Sequence, residues 1–575
     1  MARSNDAVEA MLLEFADLLS IVAGDAYKPR AYEKAARSVG GHHADLTGLD
    51  EKGILAIPNV GRSIADKIVE FLRTGTVPEL EELRAKIPPG VREMTVLPGF
   101  GPKKAMFVYQ ELGIATVEDL VAAAQDGSLR GLKGFSKKTE ENILAGVVRV
   151  QETGGRVQVD VAMELAELLL ERLRAIPAVR RADHAGSLRR MAETIGDVDL
   201  LVASDDAGPI MEAFTGYGVV DRVLAKGETK SSVLTRTGLQ VDLRVVPPEV
   251  WGAAMIYFTG SKAHNIRIRE IAVRAGLKLS EYGLFLAKSG DLIVAETEEE
   301  VYERLGLPWI PPTMREDRGE VEAALDGTLP AVLQRSDLRG DLHTHTNLTD
   351  GVAPLETMLE AAAAHRYAYY AVTDHAPNLW MQRMTDEKML AQRTQLRALQ
   401  DRYPKMRLLH GTELNIDPEG DVDWGPEFLS GFDITVASVH SHFTQPRDEM
   451  TRRVVRAMEN PRVNIIGHLT GRKIGRRPPI DLDLDEVFRA AARTGTALEI
   501  NAYPDRLDLR DEHVLWARRH GVRFAVDSDS HAVKHLDVMP YGVATAQRGW
   551  LTRDDVINAW PLTKLTKFLR KGRPA

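Results

Sequence analysis

At 575 residues, 44% apolar and 27% charged, the chain is long enough for several domains, each burying its own core. It contains no cysteine, which excludes disulfides and thiolate zinc sites and leaves His, Asp and Glu to hold any metal. Its net charge of −9 argues against nucleic-acid binding through bulk positive charge, though not through local patches or backbone amides.

No apolar run approaches the roughly 18 residues that span a bilayer. The opening "MARSNDAVEAMLLEF" carries acids where a secretion signal would have a basic and then an apolar stretch. A cytoplasmic protein without a membrane partner is expected.

In chain order, Val8, Met11, Leu12, Phe15, Leu18, Leu19 and Val22 recur at three- and four-residue spacing and predict a helix. A theme then repeats in "LAIPNVGRSIADKIVEFL" (55–72), "VLPGFGPKKAMFVYQELGI" (96–114) and "LRGLKGFSKKTEENIL" (129–144): apolar residues, a Gly turn, a basic or polar pair, a helix. A Gly turn between helices exposes backbone N–H groups and the positive end of the second helix, which suit a phosphate oxygen and read no sequence. Val60, Gly61, Gly99, Gly101 and Lys103 are therefore candidate DNA contacts. Asn59 replaces the first Gly of the first copy, tolerable because Asn also visits φ > 0; the third copy is degraded.

"TGGR" (153–156) marks a break, followed by an amphipathic helix (161–176) and the strand-like runs "DVDLLVA" and "LQVDLRVV". Asp197 and Asp199, two apart on a strand, leave the same face. Asp242 lies on another strand, with Gln240 and Arg244 on its face. Three carboxylates converging from two strands form a costly cluster unless divalent cations neutralise it, and two such cations clamp the attacking and leaving oxygens of a phosphoryl transfer.

"AGSLRRMAETIGDVDLLV" (185–202), Asp242 and "YFTGSKAHNIRIR" (257–269) together resemble the signature of the family X DNA polymerases, over nearly all of residues 1–315. The resemblance implies two Mg²⁺ or Mn²⁺ ions, with Asp197 and Asp199 holding both and Asp242 the one near the primer terminus. It implies deoxynucleoside triphosphates and gapped or primed double-stranded DNA as partners. Gly186, Ser187 and Arg190 match positions that bind the nucleotide's phosphates. Tyr257, Phe258, Thr259, Gly260 and Ser261 match the turn lining the nucleotide, Asn265 a base-edge contact and Arg269 a template-side contact.

Some positions depart from the family. Lys262 stands where the small eukaryotic repair member is acidic, and could hold the triphosphate. Gln240 replaces an arginine, Met191 a glycine and Ser63 a lysine. Lys67 aligns with a Schiff-base nucleophile that removes a sugar phosphate, with Lys28 and Tyr32 at neighbouring positions. That chemistry needs a lowered lysine pKa.

Proline-rich "LPWIPPTMRED" (307–317) leads to a change of texture after Asp337. Short apolar runs alternate with helical segments, the rhythm of repeated β-α units in a barrel-like or doubly wound fold. Twelve of the sixteen histidines lie beyond residue 340. His343, His345, His375, Glu413, His440, His468, Asp529 and His531 each sit where an apolar run stops, the face where barrel enzymes gather catalytic side chains. With Asp350 they make nine ligands, enough for a cluster of two or three Mn²⁺, Zn²⁺ or Fe²⁺ ions. His365, His410 and His513 read as core residues; His442 and His535 have no assigned role.

The nine-residue set resembles the PHP family over roughly 337–570, implying a distorted (βα)7 barrel with hydrolytic activity on phosphate esters. The whole is expected to be a multidomain α/β monomer: a helix-hairpin-helix DNA-binding domain (1–85), a second helical DNA-binding domain (86–153), a polymerase-beta-like nucleotidyltransferase palm (154–246), a nucleotide-binding domain (247–315), a linker (316–336) and the PHP barrel (337–575). Gap filling in base excision repair with 3′–5′ exonuclease or 3′-end and abasic-site processing is the expected function. A small-molecule phosphoesterase tethered to DNA by a non-catalytic first half is the alternative.

Overall fold

The computed structural model describes residues 4–22, 27–40, 46–57, 59–94, 102–132, 135–137, 139–140, 143–144 and 156–570. Gly99 and Gly101 lie outside them.

The periodic stripe of the first segment forms the helix Ser4–Val22, which buries Val8, Met11, Leu12, Phe15 and Leu18. Helices Tyr27–Gly40, Arg62–Thr74, Pro102–Leu112 and Val117–Asp126 follow. One core holds Phe15, Val39, Ile68, Leu83, Val91, Val108 and Leu120, so it is continuous across residue 85. In the first hairpin Asn59 has φ 63, the left-handed conformation a glycine would supply. Gly61 is the N-cap of Arg62–Thr74 and brings no side chain to the helix end, leaving the terminal amides open to an outside acceptor.

A short antiparallel pair, β1 (Val157–Gln158) with β3 (Thr194–Ile195), borders the next sheet. That sheet runs β2 (Arg181–His184), β4 (Asp197–Ala203), β7 (Gln240–Val246), β6 (Lys230–Thr235), β5 (Val220–Lys226). β4 and β7 are parallel, and Asp199 faces Asp242 in their register. Alternation divides β4: Val198, Leu200 and Val202 pack under the helices Val159–Arg174 and Gly208–Thr215, which turns Asp197 and Asp199 to the other face. Leu201 on that face joins a second core with Ala253, Ile256, Ile268 and Tyr302. This core belongs to helices Trp251–Thr259 and Lys262–Arg274 and the antiparallel strands β8 (Leu277–Ser280), β9 (Gly283–Leu286) and β10 (Leu292–Val294).

Residues 316–336, expected as a linker, are packed: Glu320–Leu325 is helical, and Val321, Ala324 and Val332 are buried in that same core. Buried Glu320 accepts or shares a proton with His264 Nδ1 at 2.7 Å. The charged look of the segment hid a helix with an apolar i, i+3 pair.

The last domain is a parallel seven-stranded sheet in sequential order, β11 (Gly340–Asp341), β12 (Tyr369–Val372), β13 (Arg407–Asn415), β14 (Ile434–Ser438), β15 (Ile465–Ile466), β16 (Ala497–Asn501) and β17 (Phe524–Asp527). Its ends meet around a seam. Thr344 and Ser530 form a lone parallel bridge, and Asn558 Nδ2 donates to Gly340 O at 3.0 Å and Val526 O at 2.6 Å. One side chain thus satisfies both edge strands, and the barrel is nearly closed. Inward positions alternate along each strand: Leu409, Ile434, Ile465, Ala497 and Ala525 pack with Leu565 and Leu569 of the helix Leu562–Leu569. Glu499 lies two residues beyond Ala497, Asp527 two beyond Ala525 and Glu413 four beyond Leu409, so the same parity brings these acids inward.

Barrel and palm touch directly. Leu507 is buried in the palm core, with Ile474 and Tyr541 packed on it, and Arg472 Nη2 lies 2.7 Å from Glu193 Oε2. Among the described residues no helix is long and apolar enough to cross a membrane.

Candidate active sites and metal centres

In the palm, Gly186 opens the short helix Gly186–Arg189 at φ +60. A Cβ there would lie 2.1 Å from Asp199 Oδ2, so the glycine makes room for the carboxylate. Burial, then the charges of Asp197 and Asp242, push the Asp199 carboxyl up to about 7. Asp242 shifts the other way: burial opposes its charge, but Gln240, Ser232 and Lys230 outweigh it. Gln240 Nε2 donates to Asp242 Oδ1 at 2.9 Å, and Lys230 Nζ lies 3.2 Å from its Oδ2. Lys230 was not singled out in the sequence; a lone lysine in "GETKSSV" carries no signal.

Asp199, Asp242, Lys230, Arg244 and Phe258 line one hollow, with the Arg244 guanidinium 4.8 Å from the Phe258 ring centre. Tyr257, Asn265 and Arg269 line an adjacent one. There Asn265 Nδ2 donates to Tyr257 O at 2.8 Å, Asn265 Oδ1 is buried without a partner, and Arg269 Nε donates to Asn265 O at 3.0 Å. Ser261 caps Lys262–Arg274, accepting from the His264 amide, and Lys262 is exposed. Ser187 is half-buried. Arg190 donates to Thr259 O at 2.6 Å and to Glu316 Oε1 at 3.0 Å, and Gly260 at φ 69 passes close to it. Met191 has φ 54, which explains why the family places glycine there.

Lys67 does not have the environment its role needs. Its Nζ pairs with Glu79 Oε2 at 2.7 Å and donates to Ser63 Oγ at 3.2 Å. Burial works to lower its pKa, but Glu79 and Tyr32 outweigh it and hold the amine charged. Asp66, Glu70 and Glu82 line the same hollow. Tyr32 is buried, stacked 5.1 Å from Phe15, and Lys28 is exposed.

All nine barrel residues converge around Glu413, which lies inside β13 rather than after it. Its Oε1 is 3.0 Å from His440 Nε2 and 3.1 Å from His468 Nε2; its Oε2 is 2.9 Å from His375 Nδ1 and 3.4 Å from His343 Nε2. His345 Nε2 is 3.2 Å from Asp529 Oδ1. Asp350 lies 3.3 Å from both His375 and His531. Three overlapping groups have metal-holding spacing: His345, Asp350, His375 and His531; His343, His345 and Asp529; His375, Glu413 and His440.

Burial disfavours charge on Glu413, Asp350 and Asp529, but the surrounding imidazoles hold all three well below the usual carboxylate range. Conversely Glu499, Glu413 and Asp529 hold His343 well above the usual imidazole value despite burial. His345 Nδ1 and His468 Nδ1 are buried without hydrogen-bond partners. Such unmatched lone pairs, in a set of imidazoles and carboxylates without thiolates, fit divalent ions.

Residues outside the nine orient them. Glu499, inward on β16, faces His343 Nδ1 at 2.6 Å, and Asn415 Oδ1 faces His440 Nδ1 at 2.7 Å. Asp374 accepts from the Thr346 amide at 2.8 Å and from Thr346 Oγ and Thr349 Oγ at 2.6 Å each, shaping the loop that carries Asp350. In the sequence Glu499 is a single acid in "ALEINA", with no histidine beside it to mark the end of that run as the others are marked. Of the expected core histidines, His410 is buried and stacks 5.1 Å from Phe432. His365 and His513 are only partly buried; they sit at a helix end and on a helix face. His535 Nδ1 receives the His531 amide at 3.2 Å, and His442 is exposed.

Family models match in the same order: a helix-hairpin-helix domain at residues 3–77, a SAM-like helix-hairpin-helix tandem at 91–147, a DNA polymerase beta thumb at 254–316 and a PHP domain at 341–503. The chain is 35% identical to the DNA polymerase/3′-5′ exonuclease PolX of Bacillus subtilis (strain 168), over 98% of each chain. It is 25% identical to DNA polymerase lambda of Rattus norvegicus over 51% of this chain and 53% of that one. A probable phosphatase of Thermoanaerobacter sp. (strain X514) is 28% identical over 40% of this chain and 95% of its own. With one relative matched from end to end, and with helical hairpins, thumb and PHP barrel in sequence, the chain belongs to the family X DNA polymerases that carry a C-terminal PHP domain.

Proposed function

We propose that this polymerase fills short gaps in base excision repair and that its barrel removes nucleotides from DNA 3′ ends. The observation that carries the first half is the register pairing of Asp199 with Asp242, with Asp197 two residues away on the same face. Two Mg²⁺ or Mn²⁺ ions held by these three carboxylates would supply charge neutralisation and clamp the attacking and leaving oxygens. Gly186 leaves space for the Asp199 carboxylate; Ser187 and Arg190 receive the triphosphate, assisted by Lys262. The turn Tyr257–Ser261 lines the sugar and base, the unpaired Asn265 Oδ1 meets a base edge, and Arg269 faces the template. Val60, Gly61, Gly99, Gly101 and Lys103 hold the DNA backbone through amides and one cation.

In the barrel the nine residues His343, His345, Asp350, His375, Glu413, His440, His468, Asp529 and His531 would hold two or three Mn²⁺, Zn²⁺ or Fe²⁺ ions. When bound there, such ions would supply an activated water and polarisation of phosphoryl oxygens. The protein acts on DNA as a monomer in the cytoplasm. Lys67, paired with Glu79 and held charged, is a poor nucleophile for sugar-phosphate removal.

The probable phosphatase of Thermoanaerobacter matches 40% of this chain and 95% of its own length, which favours a phosphomonoesterase as the second reading. Gapped duplexes ending in a 3′-hydroxyl, a 3′-phosphate or an abasic site, tested beside p-nitrophenyl phosphate, separate the two. Shortening of the 3′-hydroxyl strand is expected. Hydrolysis of the monoesters alone, with no extension of any duplex, would replace this reading by the tethered phosphatase.

A further inference from the structure

The segment that offers Ser187 and Arg190 to a nucleotide is gripped from the barrel side as well as from the palm. Arg548 ends the barrel helix Met539–Arg548. Its Nη1 donates to the carbonyl oxygen of Arg190 at 2.8 Å and to Glu316 Oε1 at 2.8 Å. That same oxygen accepts from Arg190 Nε at 3.0 Å. One carboxylate is therefore shared by a palm guanidinium and a barrel guanidinium, and both Arg548 and Glu316 are largely buried, at 9% and 17% side-chain exposure. Arg548 is fixed from behind by Asp511, whose Oδ2 accepts its Nε at 2.8 Å and also Arg318 Nη1 at 3.0 Å.

The next residue supports the same contact. Met191 lines the cleft between palm and barrel together with Leu507 and Arg548. A side chain at positive φ persists where its surroundings compensate, and Met191 packs on the palm core that Leu507 enters from the barrel, as Ile474 and Tyr541 do.

We propose that Arg548 is a positioning residue of the polymerase site, supplied by the PHP domain. It draws on the charge of Glu316 and so weakens that carboxylate's hold on Arg190, while its bond to the Arg190 carbonyl fixes the turn. Arg190 can then leave Glu316 for the phosphates of an incoming deoxynucleoside triphosphate. Without Arg548, Arg190 and Glu316 become an exclusive, partly buried ion pair, and a triphosphate has to break it. The inference rests on the reading of Arg190 as a phosphate contact. By linkage, nucleotide occupancy and the position of the barrel helix influence one another.

The test is steady-state extension of gapped DNA by the full-length protein at varied dNTP, with shortening of the same primer without dNTP measured in parallel. Arg548→Ala should raise KM for dNTP by about fivefold or more, with kcat and shortening little changed. Glu316→Gln should lower KM, and combining the two substitutions should cancel the defect. An unchanged KM in Arg548→Ala, where Arg190→Ala raises it, overturns the barrel's role and leaves the phosphate contact standing. An unchanged KM in Arg190→Ala overturns that contact, and the proposal with it. Equal loss of extension and shortening in Arg548→Ala, uncorrected by Glu316→Gln, makes Arg548 a support of the fold and also overturns the proposal. Glu316→Gln alone reads the same competition should Arg548→Ala fold poorly.

Discussion

A Cβ on Gly186 would meet Asp199 Oδ2 at 2.1 Å, at a φ of +60 that a side chain resists. Gly186→Ala therefore has to move the carboxylate. Displacements of about 1 Å cost on the order of 100-fold in rate, so primer extension should fall by about that factor while 3′-end shortening stays at the wild-type rate. Glu499 plays the comparable part in the barrel, facing His343 Nδ1 at 2.6 Å. Loss of such a carboxylate partner costs about 10- to 100-fold in metal affinity or activity. Glu499→Gln should lower bound metal after dialysis and slow shortening by that order; full metal content with an unchanged rate would remove Glu499 from the site. The two residues differ in legibility. Gly186 lies in a motif readable in one glance along the chain, whereas Glu499 is a single acid in "ALEINA", distinguished only by the strand that points it inward.

Strand pairing creates the electrostatics of the palm. Alternation in "DVDLLVA" and "LQVDLRVV" was legible and put Asp197 and Asp199 on one face of a strand. That β4 and β7 are parallel neighbours bringing Asp199 beside Asp242 comes from long-range pairing, which no local period encodes. With its carboxyl raised to about 7, Asp199 binds a proton more tightly in the folded than in the unfolded chain. Folded-state stability is therefore lost as pH rises through the unfolded value near 4 and on to about 7. Asp199→Asn should raise the melting temperature of the metal-free protein at pH 8, with a gain that shrinks towards pH 4. Equal melting temperatures at pH 8 would show that the paired carboxylates carry no such strain. In the barrel most of the converging residues were legible because they sit where an apolar run stops, even where the strand shrinks to two residues, as in β11 and β15. The hairpin was legible down to Asn59, whose φ of 63 meets the expectation for a glycine substitute. Lys67 was placed by its motif, but its partner Glu79 comes from the following helix and lies outside that motif.

At the scale of the molecule, a chain of net charge −9 leaves the start of Arg62–Thr74 without a side-chain cap and gathers carboxylates in two separate centres, the second of them rich in histidine. The barrel docks on the palm through Arg472–Glu193 and Arg548–Glu316, pairs separated by 279 and 232 residues. None of the four lies in a periodic pattern that marks it, so the sequence divided the chain into parts without showing how they touch. The packed segment 316–336 escaped for the same reason, its short helix being recognisable only against the core that covers it.

The most direct test of two separate active sites in one chain uses a 5′-labelled primer on gapped DNA with Mn²⁺, with and without dNTPs. Wild type, Asp242→Ala and His343→Ala are compared on the same substrate. Asp242→Ala should lose extension by about 100-fold or more and keep shortening, and His343→Ala should do the reverse. Loss of both reactions in either variant, or shortening that survives His343→Ala, would contradict the division of labour between palm and barrel.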